Sequence, residues 1–548
     1  MPAIEVGDGT VSLDTIGDPV EAAPVGSATR VELNFGEGWV DVSGDVVSAV
    51  KASWGIHGNT PKDRVADAGT MTFDLDNGRT NVAGLVGFYA PGSVNARAGF
   101  NVGAGARLVL HNALLGDKVR WQGTIADIVP VAGISDPRTA VSCVDWMDEA
   151  ARAKLSLIAV QTNIQADALF TLLLAAVDRQ PPNGSRSGTG SDIYPYALDN
   201  TQDESSRVLG EIQKLAMSEY GLAYCDAGVA VFEGRRRRGG EGTIRYALDE
   251  DTNLTGLGVT HSRDDIINRA QISIHPRRVD AAATTILFNL GSAIQIFRGT
   301  SATFDCPYRD PNQQAQRVGG KDMVPPVAST DYKMFANEDG SGADLTAQVS
   351  VSATFGGNSA QVTVSNAGPQ DGYLMLFQLR GRGLYDFEPV IFDQIDASSQ
   401  ALYGENVFGY DMPYQSDPNN AVDLATFILS LNSASIVRVA TASFLMNWDD
   451  EAAEQAFNIT ISDRVTVTAP SVGLASVPFF VNGLTIEVQL NGVAVVTLDL
   501  CPVDTSQFWV LDVPGRTELD ETTILGYGLF VPGWILDTST LGTDSFLN

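Results

Sequence analysis

The 548-residue chain is too long for a single hydrophobic core, and we expect roughly three to five domains. Hydrophobic residues make up 44% of the chain, which is ordinary for globular protein and argues against wholesale disorder. The 66 acidic and 35 basic residues give a formal net charge of −31. Such a surface repels phosphate backbones, which argues against tight, sequence-specific recognition of nucleic acid.

The chain contains four scattered cysteines, Cys143, Cys225, Cys306 and Cys501. None has C-x-x-C spacing, so we expect buried reduced thiols rather than a disulfide scaffold or a zinc site. The first basic residue is Arg30, which leaves no charged n-region for a signal peptide. The longest apolar run, near residues 169–177, is too short for a transmembrane segment. These features predict a soluble protein made in a reducing cytoplasm.

The N-terminal third is predicted to be built from strands. Residues 1–29 are rich in Gly, Pro, Asp and Val and predict an extended arm that becomes ordered only against a neighbour. Residues 30–157 contain short alternating segments separated by Gly, Asp and Asn, as in a small β-barrel or sandwich. In DAGTMTFDLDNG, apolar and polar residues alternate up to Asn77-Gly78, a pair that predicts a chain reversal. A helical turn is expected near Trp146.

Residues 158–255 change character and predict a helix-plus-hairpin module. NIQADALFTLLLAAV has the composition of a buried helix, and SSRVLGEIQKLAMSEYG is amphipathic. Asp203 or Ser205 could cap this second helix, and Gly221 lies where a helix-ending glycine belongs. LAYCDAGVAVFE then predicts a hairpin that turns at Asp226-Ala227-Gly228.

Strand patterns return at INRAQISIHPRR, and residues 282–380 predict a separate, inserted Ig-like β-sandwich. A third helix is expected at NNAVDLATFILSLN. In FFVNGLTIEVQLNGVAVVTLDLCP, two alternating segments flank Asn491-Gly492, which is the strongest hairpin signal in the chain. Residues 506–548 form a Gly-, Asp- and Thr-rich tail that is expected to pack on another surface.

The order of these parts resembles the minor tail proteins of long-tailed, non-contractile bacteriophages. GEGWVDVSGDV followed by DRVADAGTMTFDLDN resembles the opening strands of that family, and VRWQGTIADI resembles its next strand. LGEIQKLAMSEYGLAYCDAGVAVFEGR resembles the family's helix and hairpin. FFVNGLTIEV and FWVLDVPGRTELDETTILG resemble its closing segments. The match covers about Arg30 to Gly526, and phage-derived gene transfer agents have similar layouts.

The resemblance implies a mainly β, multidomain protein with two tube-like β-barrel domains. The first barrel would be residues 30–157. The second, 256–281 together with 381–505, would be built from INRAQISIHP and the strands between Ile461 and Leu500. The resemblance further implies a baseplate hub, a homotrimer at the distal end of the tail. A trimer can meet six equivalent contacts only if each chain carries the fold twice, so the two barrels are expected to share their topology.

The implied partners are a distal tail or tail tube ring, the tape-measure protein and tip or fibre proteins, in a virion assembled in the host cytoplasm. The hub would close the tube and let genomic DNA pass on ejection. Three alternatives remain: a receptor-binding adhesin that uses the inserted sandwich, a hexameric distal tail ring protein and, ranked last, a cell-wall-degrading enzyme.

We identify no catalytic, cofactor-binding or metal-binding residues. The histidines His57, His111, His261 and His275 are too few and too far apart to suggest a triad or metal cluster. The glycine-rich NVGAGAR precedes a strand rather than a helix, which does not suit phosphate binding. The acidic clusters, Asp449, Asp450, Glu451 and Glu454 together with Asp203 and Glu204, predict a solvated face or helix cap rather than a glycosidase pair. No Ca²⁺-binding loop motif accompanies them.

One basic feature stands out in this acidic chain, the run Arg235, Arg236, Arg237 and Arg238. A solvated loop at a hairpin end is the simpler interpretation. The alternative is an electrostatic contact with an acidic neighbour, a tail partner or passing DNA.

Overall fold

The computed structural model describes residues 28–132, 137–155, 157–200, 206–238, 244–435 and 437–503. The predicted C-terminal tail, almost all of the predicted N-terminal arm, and Asp203, Glu204 and Ser205 lie outside these ranges. The described chain is mainly β, as predicted, and is organised in several sheets around four hydrophobic cores.

The strands of the N-terminal half are β1 Ala28–Asn34, β2 Trp39–Asp41, β3 Val50–Gly55, β4 Thr70–Asp76, β5 Gly105–Asn112, β6 Gly116–Val131, β7 Arg138–Val144, β8 Gln161–Gln165, β9 Ser185–Ser187, β10 Ile193–Ala197, β11 Leu222–Asp226, β12 Val229–Glu233, β13 Ile244–Asp249 and β14 Leu254–Thr260. Those of the C-terminal half are β15 Arg269–Ile274, β16 Arg277–Val279, β17 Thr285–Asn289, β18 Ile294–Ile296, β19 Ser301–Pro307, β20 Gly319–Val324, β21 Tyr332–Phe335, β22 Val349–Phe355, β23 Ser359–Asn366, β24 Gly372–Asp386, β25 Val390–Ile395, β26 Val407–Met412, β27 Arg438–Leu445, β28 Arg464–Ala469, β29 Leu474–Val488 and β30 Ala494–Pro502. The α-helices are α1 Trp146–Arg152, α2 Ala166–Ala175, α3 Val208–Glu219, α4 Ala397–Tyr403, α5 Pro418–Asn432 and α6 Asp450–Asn458.

Thirteen of these strands form one continuous sheet. Its main path runs β14-β27-β30-β29-β3-β4-β7-β6-β5-β1-β2, and β28 and β13 extend from β29. One hydrophobic core, which includes Trp54, Phe73, Phe444 and Leu484, is shared by strands from both ends of this path.

The two closed barrels expected from the resemblance are not seen, because strand pairing closes no ring among the described residues. Instead β3, which lies at one end of the strand order of the first half, pairs antiparallel with β29 of the second half. Glycine permits this close approach: a Cβ on Gly55, whose φ is +94°, would lie 2.7 Å from the Asn482 oxygen and 2.8 Å from the Gly483 Cα. The two halves are therefore merged into one sheet.

The two halves of the large sheet nevertheless have the same strand order. It is β3-β4-β7-β6-β5-β1 in the first half and β14-β27-β30-β29-β28-β13 in the second, and the strands follow one another along the chain in the same sequence. Neighbouring strands are antiparallel in both halves, except that β13 lies parallel to β28. The chain thus contains the same six-strand arrangement twice. Strand β2 has no counterpart, and residues 261–437 are inserted between β14 and β27.

The second half is built from different segments than the sequence suggested. INRAQISIHP forms β15, which pairs with β25 and β26 in a separate three-stranded sheet packed against α5. The strands that complete the second half are β13 and β14. Strand β13 lies in the range predicted for the helix-plus-hairpin module, whereas most of β14 lies in the range predicted for the second barrel. Parallel pairing of β13 with β28 is a long-range contact that local periodicity does not encode.

The Asn77-Gly78 reversal is also not seen, because β4 pairs with β3 and β7 and forms no hairpin with β5. The segment that follows, 77–104, is irregular. Buried Asn77 orders it by accepting a hydrogen bond from the Tyr89 backbone amide at 2.9 Å, so this asparagine is a packing residue.

Two smaller units have their own cores. Helices α1, α2 and α3 pack with the β11–β12 hairpin, which turns at Ala227-Gly228 as predicted. Strands β16, β17, β18, β20 and β21 all pair with the long β24, and β19, β23 and β22 form a second sheet. Side chains from both of these sheets share one core, which gives the predicted inserted sandwich its two layers.

Candidate assembly site

The junction between the two similar halves is the most distinctive site of the molecule. Residues 50–55 of β3 pair with 488–483 of β29, immediately after a β-bulge at Asn482. A bulge turns the strand and frees one residue from the ladder, so its side chain and carbonyl can make other bonds.

Asn482 is 3% exposed and connects three parts of the chain. Its backbone oxygen accepts a hydrogen bond from Ile56 N at 2.9 Å, and its Nδ2 donates to the Gly58 oxygen at 2.7 Å. Its Oδ1 accepts a hydrogen bond from the Arg238 guanidinium at 2.6 Å. One amide therefore holds the first half, the second half and the helical module together.

A chain of side-chain hydrogen bonds crosses the same junction. Ser53 Oγ lies 3.0 Å from His57 Nε2, and His57 Nδ1 lies 2.8 Å from Asp499 Oδ2. The hydrogen bond and charge of Asp499 raise the pKa of His57 above its ordinary value of 6.5, although burial opposes the shift. The imidazolium is thus favoured where the two halves meet.

This serine, histidine and aspartate have the connectivity of a hydrolase triad, but their surroundings favour a structural role. Ser53 Oγ is shared with the Thr485 hydroxyl at 2.8 Å. The Ser53 backbone lies between Thr70 on β4 and Thr485 on β29, in the middle of the sheet. A triad needs free N–H groups beside the nucleophile to stabilise an oxyanion, and a strand paired on both sides has committed its amides to the ladder. The group joins the halves of the sheet.

A buried arginine adds a further link between the halves. Arg120 on β6 is 2% exposed, and its guanidinium donates to the Phe457 and Ile459 oxygens at 3.1 and 2.7 Å. These carbonyls lie at the C-terminal end of α6, where a cation complements the helix dipole. A side chain of the first half therefore caps a helix of the second.

The four consecutive arginines do not form a uniform basic patch. The Arg235 side chain is 2% exposed and pairs with Asp192 at 2.6 Å, and Arg238 bonds Asn482 and the Ser462 hydroxyl. Only Arg236 and Arg237 are exposed. Arg235 and Arg238 thus hold this chain together, and the exposed Arg237 lies 3.7 Å from the Glu233 carboxylate.

The other candidates are spread over the molecule. His111 contacts Asp117, and His261 contacts the Ser435 hydroxyl. The carboxylates of Asp386 and Asp411, which accept hydrogen bonds from the His275 ring, raise the pKa of His275 to about 9. Asp449 is the N-cap of α6, where it accepts from the Ala452 amide at 2.7 Å, so the helix-cap interpretation of that acidic cluster is confirmed.

Within the described ranges, no three His, Cys, Asp or Glu residues lie close enough together to hold a metal ion. No α-helix in that part of the chain has the length and hydropathy needed to cross a bilayer.

No family model and no curated protein matches this chain. Among solved structures, it is similar to the 43 kDa tail protein of prophage MuSo2 from Shewanella oneidensis, with a TM-score of 0.48 and 10% identity over 87% of this chain and 99% of that one. A tail protein from Neisseria meningitidis MC58 gives a TM-score of 0.46 and 7% identity, over 86% of this chain and 96% of that one. Prophage tail protein gp18 from Listeria monocytogenes EGD-e gives 0.38 and 8%, over 86% and 94%.

Proposed function

We propose that this chain is a structural virion protein, the baseplate hub at the distal end of a phage tail. In this role a homotrimer closes the tail tube, adapts its six-fold ring to a three-fold tip and passes DNA on ejection. The order of sequence motifs along the chain suggests the class of protein. The repeated six-strand arrangement is the observation that carries the proposal.

The number of similar units in each chain supports the role of a symmetry adaptor. Three chains, each with two similar units, present six similar surfaces to a six-fold ring, whereas three chains with one unit each would leave half of the ring unmatched. The two units of each chain are parts of one sheet, and the inserted segments occupy a single loop of the second unit. Insertion between β14 and β27 leaves the shared strand order intact.

The junction supports a load-bearing role. A sheet that runs through both units carries tension along backbone hydrogen bonds, and Asn482, Arg120 and the Ser53–His57–Asp499 chain reinforce the meeting point. The bonds made by these groups hold elements in place, and we propose no enzymatic step.

The charge of the chain suits the passage of DNA. A net charge of −31 gives walls that do not retain a phosphate backbone. The expected neighbours are the ring above, the tape-measure protein inside and the tip or fibre proteins below. The exposed Arg236 could contact an acidic partner among them.

The mass of the purified assembly tests the proposal, since oligomer number separates the candidate roles. Native mass spectrometry should give three times the 58.2 kDa chain mass. Six chains would favour a distal tail ring instead, and a stable monomer at micromolar concentration would favour a free adhesin. Incubation of the same sample with purified peptidoglycan should release no product above the buffer control.

A further inference from the structure

Each of the two units has an unpaired strand edge beside the positions that form the β3–β29 joint. Strand β14 is hydrogen-bonded only to β27, and the part of β6 from Asp127 to Val131 is paired only with β7. Val129 and Val131 are 55% and 43% exposed there. Edges of this kind present free N–H and C=O groups that can accept another strand.

The internal repeat shows which strand each edge can accept. Strand β14 holds the position of β3, and β6 holds the position of β29. Both long strands carry a bulge against the next strand of their unit, at Ala126 in β6 and at Asn482 in β29. Within one chain, β3 is paired with the part of β29 that follows its bulge. The unpaired β14 corresponds to β3, and the part of β6 after its bulge corresponds to the paired part of β29. Each of them lacks the neighbouring strand that its counterpart has.

We propose that β14 of one copy pairs antiparallel with Asp127–Val131 of β6 in a second copy. The two edges are not paired with each other within the chain, and seven strand-to-strand steps separate β14 from β6 along the sheet. A ring of three chains then closes through six similar joints, three within chains and three between them. This inference rests on the proposed trimer and specifies how its subunits are joined.

The existing joint also gives the register. Lys51 of β3 lies opposite Glu487. The residues of β14 and β6 that correspond to these two follow from the strand pairings and from the positions of the two bulges. Lys51 leads through Thr72 and Ser142 to Asp127, the first residue after the bulge of β6. Gly258 leads in the same way through Thr441 and Asp499 to Gly483, the first residue after the bulge of β29, so Lys51 corresponds to Gly258. Glu487 corresponds to Val131, four residues after Asp127. Gly258 should therefore face Val131.

An antiparallel ladder from that pair places Thr260 opposite Val129. Pro130, which lies between Val129 and Val131 on β6, lacks an N–H group. This removes one possible hydrogen bond and is typical of an edge strand. Thr260 and Val129 are both exposed in the single chain, so cysteines at these positions should not disturb its core.

The test is disulfide cross-linking of the full chain carrying Val129→Cys and Thr260→Cys. Mild oxidation should give a covalent trimer on a non-reducing gel, reversed by reductant. Each single variant should give at most a dimer. As a matched control, Val129→Cys with Val94→Cys, a fully exposed site in the 77–104 segment, should give no covalent trimer. Hydrogen exchange of the unmodified protein provides a second readout, in which the amides of β14 should be protected in the assembly.

The outcomes separate this joint from the trimer itself. A trimer by native mass that forms the cross-link and protects β14 supports the inference. A trimer in which neither occurs overturns this joint and leaves the proposed hub in place. A monomer under all conditions overturns both.

Discussion

Asn482 illustrates how a single buried side chain can join parts that are distant in sequence. It lies at a bulge, where the ladder leaves its side chain and carbonyl free to bond Ile56, Gly58 and Arg238. In the sequence it is one asparagine before a glycine, the same pair that forms a turn at Asn491-Gly492. An Asn-Gly pair forms a bulge or a turn depending on whether its strand has partner strands on both sides.

We expect Asn482→Ala to lower the free energy of unfolding by about 1–3 kcal/mol, because the partly buried Gly58 oxygen and Arg238 guanidinium each lose a hydrogen bond. Asn491→Ala, at the exposed end of the same hairpin, is the matched control and should change it by less than about 0.5 kcal/mol. Urea denaturation measures both. Equal effects at the two sites would show that Asn482 does not organise the junction.

His57 should make the junction depend on pH. Its folded-state pKa is raised, so its contribution to stability is fully present below about pH 6.5 and is lost as the pH rises through the folded-state pKa. The difference in Tm between the native protein and His57→Asn should therefore shrink as the pH rises above about 6.5. His275 titrates in both proteins and cancels in that difference. A difference that grows with pH would contradict this assignment.

At the scale of elements, the arginine run shows that four identical residues can have different roles. Arg238→Met should lower the free energy of unfolding by about 2 kcal/mol, since its guanidinium bonds Ser462 and Asn482. Arg236→Met, at an exposed neighbouring position, is the control and should leave stability unchanged. Thermal denaturation compares them. If Arg236 contacts a partner, its replacement should weaken assembly without affecting folding.

Helix α6 offers a similar comparison. Asp449→Ala should cost about 1 kcal/mol of stability because the Ala452 amide loses its acceptor, whereas Asp449→Asn keeps the cap and should cost little. Chemical denaturation of the two variants decides between them. Equal losses would indicate that the charge at this site matters more than the hydrogen bond.

Local patterns predicted the elements better than their pairing. The alternation in TMTFDLD, the amphipathic stripe of α3 and the turn at Asn491-Gly492 are encoded within a few residues, and each is present. The partner of β15, the parallel contact of β13 with β28 and the merging of the two halves depend on contacts between distant segments. The Ser53–His57–Asp499 chain was missed for the same reason, since Asp499 is 442 residues from His57.

At the scale of the whole molecule, the account depends on one chain having two similar units. The same strand order on either side of the β3–β29 joint is what allows three chains to match six positions. The merged sheet also explains why reactive groups are scarce at the junction: the polar side chains there are engaged in holding strands together. The proposed hub would act through its shape, its symmetry and its mechanical strength.

Electron cryo-microscopy of the assembled particle tests this claim most directly. We predict a reconstruction with three copies of this chain around a central bore, in which the β3 and β14 units alternate as six similar densities. A ring of six copies, or a single copy whose two units lie away from any bore, would contradict the account.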